Sequence, residues 1–152
     1  MTVEITPLEK ARRQAFRLLS LRARSEKEIR DRLTANHGGK IAAEVIQQLQ
    51  EEGFLNDETF ARERARYLAV SRLEGNRAIE ADLLRKGIDR SMITGAIQAA
   101  REELSEPEAI RKLLEKRGQP PAPPDRSWTQ KTGRYLLSKG FSTGLIFEVL
   151  NE

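Results

Sequence analysis

Residues 83–97 read LLRKGIDRSMITGAI, and residues 136–150 repeat this pattern without a gap as LLSKGFSTGLIFEVL. In each copy a helix is predicted to end on Leu-Leu-x-Lys, and the glycine that follows, Gly87 or Gly140, is predicted to take the left-handed conformation. An Asp or Ser two residues later then caps a second helix, whose apolar residues recur four positions apart on one face. The duplicated stretch therefore indicates two helices joined by a tight glycine turn.

The first third of the chain carries a looser copy of the same module. It runs from Leu33 through the sequence Asn-His-Gly-Gly at residues 36–39 to Val45 and Leu49, with two residues inserted at the turn. The beginnings of helices are marked by sequences typical of capping boxes, in which a Ser or Thr is followed by Glu three residues later. These sequences begin at Thr6, Ser25 and Ser105.

Caps that open three successive units lie at nearly equal intervals. Thr6, Asn56 and Ser105 stand 50 and 49 residues apart, and a period near this length with three helices inside it is typical of a helical repeat protein. Each unit alone is too small to bury much apolar surface, so neighbouring units are expected to share contacts. The sequence predicts an all-α fold of about nine helices, in three tandem three-helix repeats stacked in an elongated, curved array. The predicted repeats are residues 6–53, 54–104 and 105–152, the last with a proline-rich loop at 119–124.

Composition limits the class of protein. The chain has 152 residues, of which a third are charged, with a net charge of +4 and no cysteine. Without cysteine, neither a disulfide framework nor thiolate chemistry is possible. The apolar runs are too short to cross a membrane, and the N-terminus lacks the apolar core of a signal peptide, so we expect a cytoplasmic protein with no membrane partner. The basic residues form no continuous block in the sequence. A nucleic-acid-binding surface would therefore have to form from basic residues that lie on the same face of the folded protein.

The residues that carry enzyme chemistry are nearly absent. His37 is the only histidine and stands beside two glycines at a predicted helix end, so we interpret it as a turn residue rather than a general base. The carboxylates that remain as possible metal ligands have no metal-binding spacing, and no phosphate-loop motif is present. Tyr67, Trp128 and Tyr135 are too sparse for a base-stacking platform and are expected to pack in the core or at its edge. The sequence predicts a non-enzymatic binding protein with no catalytic residues, no cofactor and no metal.

Arginine is strongly preferred in the middle of the chain, where it accounts for eight of the nine basic residues in 54–104. One interpretation is a solvated surface, in which arginines such as Arg62 and Arg66 pair with nearby glutamates; pairs of this kind need no function. The other is a binding surface, because Arg makes planar, bidentate contacts to carboxylate or phosphate that Lys does not. We predict that an acidic protein groove or DNA phosphates are contacted by Arg64, Arg72, Arg77, Arg85, Lys86 and Arg90.

Several segments of the chain resemble the RecX family. They are GFLNDETFA at 53–61, RLEGNRAI at 72–79, LLRKGI at 83–88 and KGFS at 139–142. The segment RRQAFRLLSLRARSEKEI at 12–29 is similar to the family's arginine-flanked Leu-Leu helix, which is followed by Arg-x-Arg-Ser and an acidic capping box. The resemblance extends from Ala11 to Leu150 and is most specific in the middle of the chain.

The resemblance implies three tandem three-helix repeats and a non-enzymatic regulator of the RecA recombinase. RecX-like proteins lodge in the helical groove of the filament that RecA forms on single-stranded DNA. There they oppose filament growth and suppress ATP hydrolysis, strand exchange and co-protease activity. The expected partner is therefore the RecA filament, with weak, sequence-independent contacts to single-stranded DNA, and the expected state of the free protein is a monomer.

Two other functions stay open at this point. A three-helix unit with a tight turn can be a helix-turn-helix whose last helix reads the major groove, which would make this a sequence-specific DNA-binding protein. Against that interpretation, the outward residues of the third helix differ between the predicted repeats, and two of the three sets contain an acid. The sets are Lys40, Glu44, Gln47 and Gln48; Arg90, Ser91, Thr94 and Gln98; and Thr143, Glu148 and Asn151. The second alternative is a passive helical scaffold.

Overall fold

Nine α-helices account for most of the chain that the structure, a computed structural model, describes, which is residues 4–118 and 120–152. No strand occurs among these residues, and a π-helical turn, Tyr67–Ser71, continues the fourth helix. The all-α prediction is therefore confirmed. The helices are α1 (Pro7–Leu21), α2 (Glu26–His37), α3 (Gly39–Glu51), α4 (Asp57–Arg66), α5 (Asn76–Arg85), α6 (Arg90–Glu103), α7 (Glu106–Arg117), α8 (Arg126–Ser138) and α9 (Thr143–Leu150).

Side-chain caps begin the first two helices where the sequence predicts them. Before α1, the Thr6 hydroxyl accepts a hydrogen bond from the Glu9 backbone N–H at 3.1 Å, and the Glu9 carboxylate accepts one from the Thr6 N–H at 3.4 Å. Ser25 and Glu28 form the same reciprocal pair before α2. Each pair satisfies backbone N–H groups that the helix leaves without a partner, which fixes the residue at which the helix begins.

Both copies of the duplicated stretch turn at the predicted glycine. Gly87 and Gly140 have φ angles of 77° and 99°, a region that residues with a Cβ rarely adopt. After the first turn, Asp89 occupies the N-cap position of α6, but its carboxylate accepts a hydrogen bond from the Ser91 hydroxyl at 2.8 Å and makes no bond to the helix backbone. After the second turn, Ser142 caps α9 as predicted, through a backbone N–H of the first turn of the helix.

Residues 4–61 and 86–88 form the first of two compact units, which we call unit 1. Helices α1, α2 and α3 pack against one another around a single apolar core. Ile29, Leu33 and Leu49 are fully buried there, and burial of a side chain of this size stabilises a fold by about 1.5–3 kcal/mol. The buried residues of the core are Ala11, Ala15, Leu18, Ile29, Leu33, Ala42, Val45, Ile46, Leu49 and Leu55.

Residues 62–85 and 89–152 form the second compact unit, unit 2. Phe141, the apolar residue that follows the Gly140 turn, is completely buried at the centre of one of its clusters. Leu73 and Leu104, which lie outside α7, α8 and α9, are part of the same cluster. The buried residues of this cluster are Leu73, Leu104, Ala109, Ile110, Leu113, Leu136, Phe141, Ile146 and Val149.

Two glycines of unit 2 touch through their backbones. The Gly75 N–H, in the loop before α5, donates a hydrogen bond to the Lys139 carbonyl at 2.8 Å, and the Arg77 N–H donates one to the Gly140 carbonyl at 3.1 Å. A Cβ on Gly75 would lie 2.4 Å from the carbonyl carbon and oxygen of Gly140, and a Cβ on Gly140 would lie 2.5 Å from the Cβ of Ala78. These contacts fix the start of α5 against the turn between α8 and α9.

The division of the chain into three repeats at 6–53, 54–104 and 105–152 stays a prediction, because the two compact units follow other boundaries. The first eight residues of the predicted middle repeat, 54–61, and its turn at 86–88 belong to unit 1, whereas the rest of that repeat belongs to unit 2. Within the ranges described, no helix combines the length and the apolar character needed to cross a membrane.

Candidate functional site

Three of the six predicted binding residues line one open cleft in unit 2. Arg64 reaches it from α4, Arg72 from the end of the π-helical turn and Arg85 from the end of α5. The cleft has a volume of about 320 Å³ and is also lined by Tyr67 and Asp82. We call the five residues Arg64, Tyr67, Arg72, Asp82 and Arg85 the Asp82 cluster.

Asp82 is the acid around which this cluster is built. It is only 7% exposed, and its two carboxylate oxygens each accept a hydrogen bond of 3.0 Å from the Arg64 guanidinium, one from Nε and one from Nη2. These bonds raise the pKa of Arg64 above its usual value. Planar, bidentate pairing of this kind fixes the orientation of both groups as well as binding them. Arg64 is therefore held as a structural cation, with its charge already met by an acid of the chain.

Arg72 and Arg85 are the exposed members of the cluster. Arg85 Nη2 lies 3.7 Å from the Asp82 carboxylate, a weak second contact to an acid that Arg64 already holds. The Arg72 side chain makes no ion pair with any residue in 4–118 or 120–152, although its backbone carbonyl accepts a hydrogen bond from Lys139 Nζ at 2.8 Å. Arg72 is thus the cation of the cluster with the greatest freedom to meet an external anion.

An aromatic ring borders the same cleft. Tyr67, which we expected to pack in the core or at its edge, is instead 46% exposed. The Arg64 guanidinium carbon lies 5.6 Å from the centroid of the ring, within the range of a cation–π contact. The ring therefore forms part of the exposed wall of the cleft rather than of the apolar core.

The other three predicted residues lie outside the cluster. Arg90 Nη1 donates to the Glu80 carboxylate at 3.1 Å, and both residues line a separate cleft beside α6. Arg77, in the first turn of α5, is exposed and makes no ion pair within the described part of the chain. Lys86 belongs to the 86–88 segment of unit 1. The structure therefore brings Arg64, Arg72 and Arg85 together in one cleft, and Arg77, Lys86 and Arg90 do not line it.

Arginines elsewhere on the surface pair with acids that are distant in sequence. Arg66 makes a bidentate pair with Glu103, with both distances at 2.7 Å, and Arg111 makes one with Glu152 at 3.2 and 2.6 Å. The pairs raise the pKa of each arginine and lower the pKa of each glutamate. Arg66 is thus paired at the surface, but with Glu103, 37 positions away, rather than with a glutamate one helical turn away as the solvated-surface interpretation expects.

Arg101 was not singled out from the sequence, and it is the arginine that organises the loop before α5. Its guanidinium donates to the Asn76 side-chain oxygen at 2.7 Å, to the Glu74 carbonyl at 2.8 Å and to the Leu104 carbonyl at 3.3 Å. Burial lowers the pKa of Arg101, because its direct partners are neutral oxygens. The role of Arg101 is to hold the backbone of this loop.

A second group of basic residues was recognised in the sequence only in part. Arg13 and Arg17 belong to the arginine-flanked Leu-Leu segment of the sequence, and the structure places them in a cleft with Lys10 and His37. This α1 cleft, lined by Lys10, Arg13, Gln14, Arg17, Asn36 and His37, contains no acid. The sequence shows that Lys10, Arg13 and Arg17 are spaced to lie on one face of α1. It does not show that the end of α2 packs beside that face and closes the cleft.

Metal-ligating side chains do not gather in the part of the chain that is described. No group of three or more His, Asp or Glu residues there is arranged to hold a metal ion. The chemistry that the exposed arginines can perform is the binding of carboxylate or phosphate groups.

Three family models match the chain in order. The model of the first three-helix domain of RecX matches residues 11–49, that of the second matches residues 56–97 and that of the third matches residues 105–150. Each match spans three of the nine helices described above.

Curated proteins with the name Regulatory protein RecX are similar over nearly the whole chain. The protein from Mycolicibacterium vanbaalenii is 33% identical over 152 residues, covering 93% of this chain and 81% of the relative. The protein from Syntrophotalea carbinolica is 32% identical, covering 97% of this chain and 99% of the relative. The similarity is therefore not confined to one domain.

Solved structures agree with the fold. The crystal structure of RecX from Lactobacillus salivarius matches with a TM-score of 0.81 and 25% identity, and the match covers 95% of each chain. A second crystal structure, of a regulatory protein RecX, matches with a TM-score of 0.78 and 26% identity over 96% of this chain and 72% of the other.

Proposed function

The chain belongs to the RecX family, and on that premise we propose that it regulates the RecA recombinase by binding in the groove of the filament that RecA forms on single-stranded DNA. Binding there limits filament growth, ATP hydrolysis, strand exchange and co-protease activity. The observation that carries the proposal is the match of all three RecX domain models, in order, along one chain. We further propose that the protein acts as a monomer of three three-helix repeats, in the cytoplasm, and transforms no substrate.

Arg72 and Arg77 are the residues we propose for direct contact with the filament. Both side chains are exposed, and neither is paired with an acid in the ranges that the structure describes. Arg72 lies between the π-helical turn and Leu73, whose φ of 54° is positive. Irregular helical turns of this kind occur often at functional sites. Arg77 is fixed through its backbone N–H, which is bonded to Gly140.

The remaining predicted residues are proposed to play lesser parts. Arg64 does not contact the partner through its bonded edge, since Asp82 occupies that edge, and it orients the cluster instead. Arg85 is exposed and only 3.7 Å from a carboxylate that Arg64 already holds, so it can turn to a partner's anion. Arg90 pairs with Glu80 at the surface, and surface ion pairs are weak enough to be exchanged for a partner's carboxylate or phosphate. Lys86 supplies a further positive charge at the α5–α6 turn.

A titration of the RecA ATPase activity tests the proposal. Increasing amounts of the purified chain are added to RecA and single-stranded DNA, and the rate of ATP hydrolysis is followed. We expect the rate to fall at amounts of the chain below those of RecA, because a protein seated in the filament groove blocks the addition of further subunits. An unchanged rate at equimolar protein would contradict the proposed function.

Paired variants locate the contact surface in the same assay. The double substitution Arg72→Gln and Arg77→Gln is expected to raise the concentration for half-inhibition about tenfold, which corresponds to about 1.4 kcal/mol of binding free energy. The matched control is Arg66→Gln with Arg111→Gln, which removes the same charge from arginines that are bonded to Glu103 and Glu152. Equal loss of inhibition in both variants would show that net charge, rather than this surface, governs binding.

A further inference from the structure

The residues that line the α1 cleft all belong to unit 1, whereas those of the Asp82 cluster all belong to unit 2. It has a volume of about 480 Å³ and is bounded by α1 and by the last two residues of α2, Asn36 and His37. Three cationic side chains, Lys10, Arg13 and Arg17, stand along its α1 side. The cleft therefore combines a concave shape, formed by two helices, with positive charge from α1.

The cations of the α1 cleft are uncompensated. Lys10, Arg13 and Arg17 are exposed, and none of them makes an ion pair with an acid in residues 4–118 or 120–152. Their spacing of three and four residues places like charges next to one another on the helix, an arrangement that weakens an isolated helix. By contrast Arg12, one position away, donates to the Glu52 carboxylate and to the Gln48 side chain on α3. On α1, the basic residues without an acidic partner are therefore those that face the cleft.

A hydrogen bond across the cleft fixes its geometry. His37 Nε2 lies 2.6 Å from the side-chain oxygen of Gln14, and because that oxygen can only accept, the imidazole donates. The bond joins the C-terminal end of α2 to the face of α1 that carries the cations. The bond therefore holds the end of α2 in place beside the face of α1 that carries the basic side chains.

We propose that the α1 cleft binds the sugar–phosphate backbone of a single nucleic-acid strand. An α-helix rises 1.5 Å per residue, so Lys10 and Arg17 stand about 10 Å apart along α1. A nucleic-acid strand carries one charge about every 3.4 Å along a helix axis, so the row of cations meets more than one phosphate. A single compact anion would leave at least one cation unused. The lining contains no Phe, Tyr or Trp, and the His37 imidazole is bonded to Gln14. Contacts to phosphates carry no sequence information, so we expect binding to be indifferent to sequence.

Fluorescence anisotropy with a labelled oligothymidylate of about 20 nucleotides tests the proposal on the full chain at several salt concentrations. Each phosphate contact on a single strand contributes about 0.7 to the slope of log affinity against log salt. The triple variant Lys10→Gln, Arg13→Gln and Arg17→Gln is expected to bind more weakly and to reduce that slope by about 2. Gln keeps a high helix propensity, and an unchanged far-UV circular dichroism spectrum and melting temperature confirm that the variant folds.

The matched control removes the same charge elsewhere. The triple variant Arg30→Gln, Arg66→Gln and Arg111→Gln affects arginines that are exposed and paired with Glu26, Glu103 and Glu152. It is expected to keep the wild-type slope. The proposal is overturned if the control loses as much affinity as the α1 variant, if the α1 variant binds as the wild type does, or if the wild type does not bind the oligonucleotide.

Two competitors distinguish the ligand class. Tripolyphosphate is expected to displace the oligonucleotide only at much higher phosphate concentration, since it cannot meet all three cations along α1. Poly-glutamate of equal charge is expected to compete poorly. Equal competition by either one would overturn the assignment to a nucleic-acid backbone.

Binding at the α1 cleft and inhibition of RecA can fail separately. The oligonucleotide measurement contains no RecA. A negative result there, together with normal inhibition of the ATPase, therefore overturns only the proposal that the α1 cleft binds nucleic acid. A positive result with an unaffected ATPase overturns only the regulatory function proposed above.

Discussion

At the scale of single residues, the arginines divide into those that acids of the chain compensate and those that they do not. The preference for Arg could be read from the sequence, but the pairing could not, because the partners are far apart along the chain. Arg66 and Glu103 are 37 positions apart, and Arg111 and Glu152 are 41 apart. Short-range rules for i, i+4 pairs cannot find such contacts. For this reason the sequence identified Arg64 as a binding candidate without revealing that Asp82 holds it.

Removal of the Asp82 charge should be the most costly change in the Asp82 cluster. The substitution Asp82→Asn leaves the Arg64 guanidinium without its bidentate partner in a half-buried position. We expect a loss of about 1–3 kcal/mol in the free energy of unfolding, measured by urea denaturation with far-UV circular dichroism. The control Glu103→Gln breaks the exposed bidentate pair with Arg66 and should cost less, since water screens that pair. Equal losses in the two variants would contradict the role of burial.

At the scale of elements, helices that begin with a Ser or Thr cap could be placed from the sequence, and the irregular segment after α4 could not. The full capping box forms before α1 and α2, whereas before α7 the Ser105 hydroxyl alone makes the cap. Thr6, Ser25 and Ser105 each have a side chain that bonds to the helix that follows. No sequence signal marks the π-helical turn, in which the Arg72 N–H bonds to the Tyr67 carbonyl five residues earlier. The positive φ of buried Leu73 is also a tertiary effect. A left-handed leucine costs about 1–2 kcal/mol, which burial of its side chain offsets.

Elements meet without side chains where Gly75 faces Gly140. The substitution Gly75→Ala puts a Cβ 2.4 Å from backbone atoms that cannot rotate away, and Gly140→Ala meets Ala78 at 2.5 Å in a left-handed backbone. Each should lower the free energy of unfolding by more than about 2 kcal/mol, measured by thermal or urea denaturation. Gly133→Ala, in the middle of α8, is the control.

The control change is expected to act in the opposite direction. A Cβ on Gly133 would meet nothing within 4 Å, and alanine is favoured over glycine in a helix by about 1 kcal/mol. Gly133→Ala should therefore stabilise the protein slightly. A similar small effect at Gly75 would show that the two backbones can move apart.

At the scale of the whole molecule, the fold class and the family could be predicted from the sequence. Which basic residues have no acidic partner is evident only in the three-dimensional structure. The duplicated glycine turns predicted the helical architecture, since Gly87 and Gly140 adopt the conformation that the pattern requires. The net charge of +4 gave no indication of which cations are compensated. In the sequence, Lys10, Arg13 and Arg17 are three scattered basic residues of α1. In the structure, His37 at the end of α2 lies beside them, and the two helices together form a cleft.

The whole chain should bind duplex DNA without selecting a sequence. The outward residues of α3, α6 and α9 differ, and Glu44 and Glu148 are exposed acids that the phosphates of a DNA groove would repel. A selection from a random duplex library is therefore expected to enrich no motif. Enrichment of one motif, with tight binding to it at physiological salt, would support the helix-turn-helix alternative.

The meeting of Gly75 with Gly140 has a hereditary consequence. Every genetically encoded amino acid other than glycine carries a β-carbon. Any missense mutation in either codon therefore forces the two backbone segments apart. The two codons lie 65 positions apart, and a mutation in one cannot be offset at the other, because glycine is already the smallest residue.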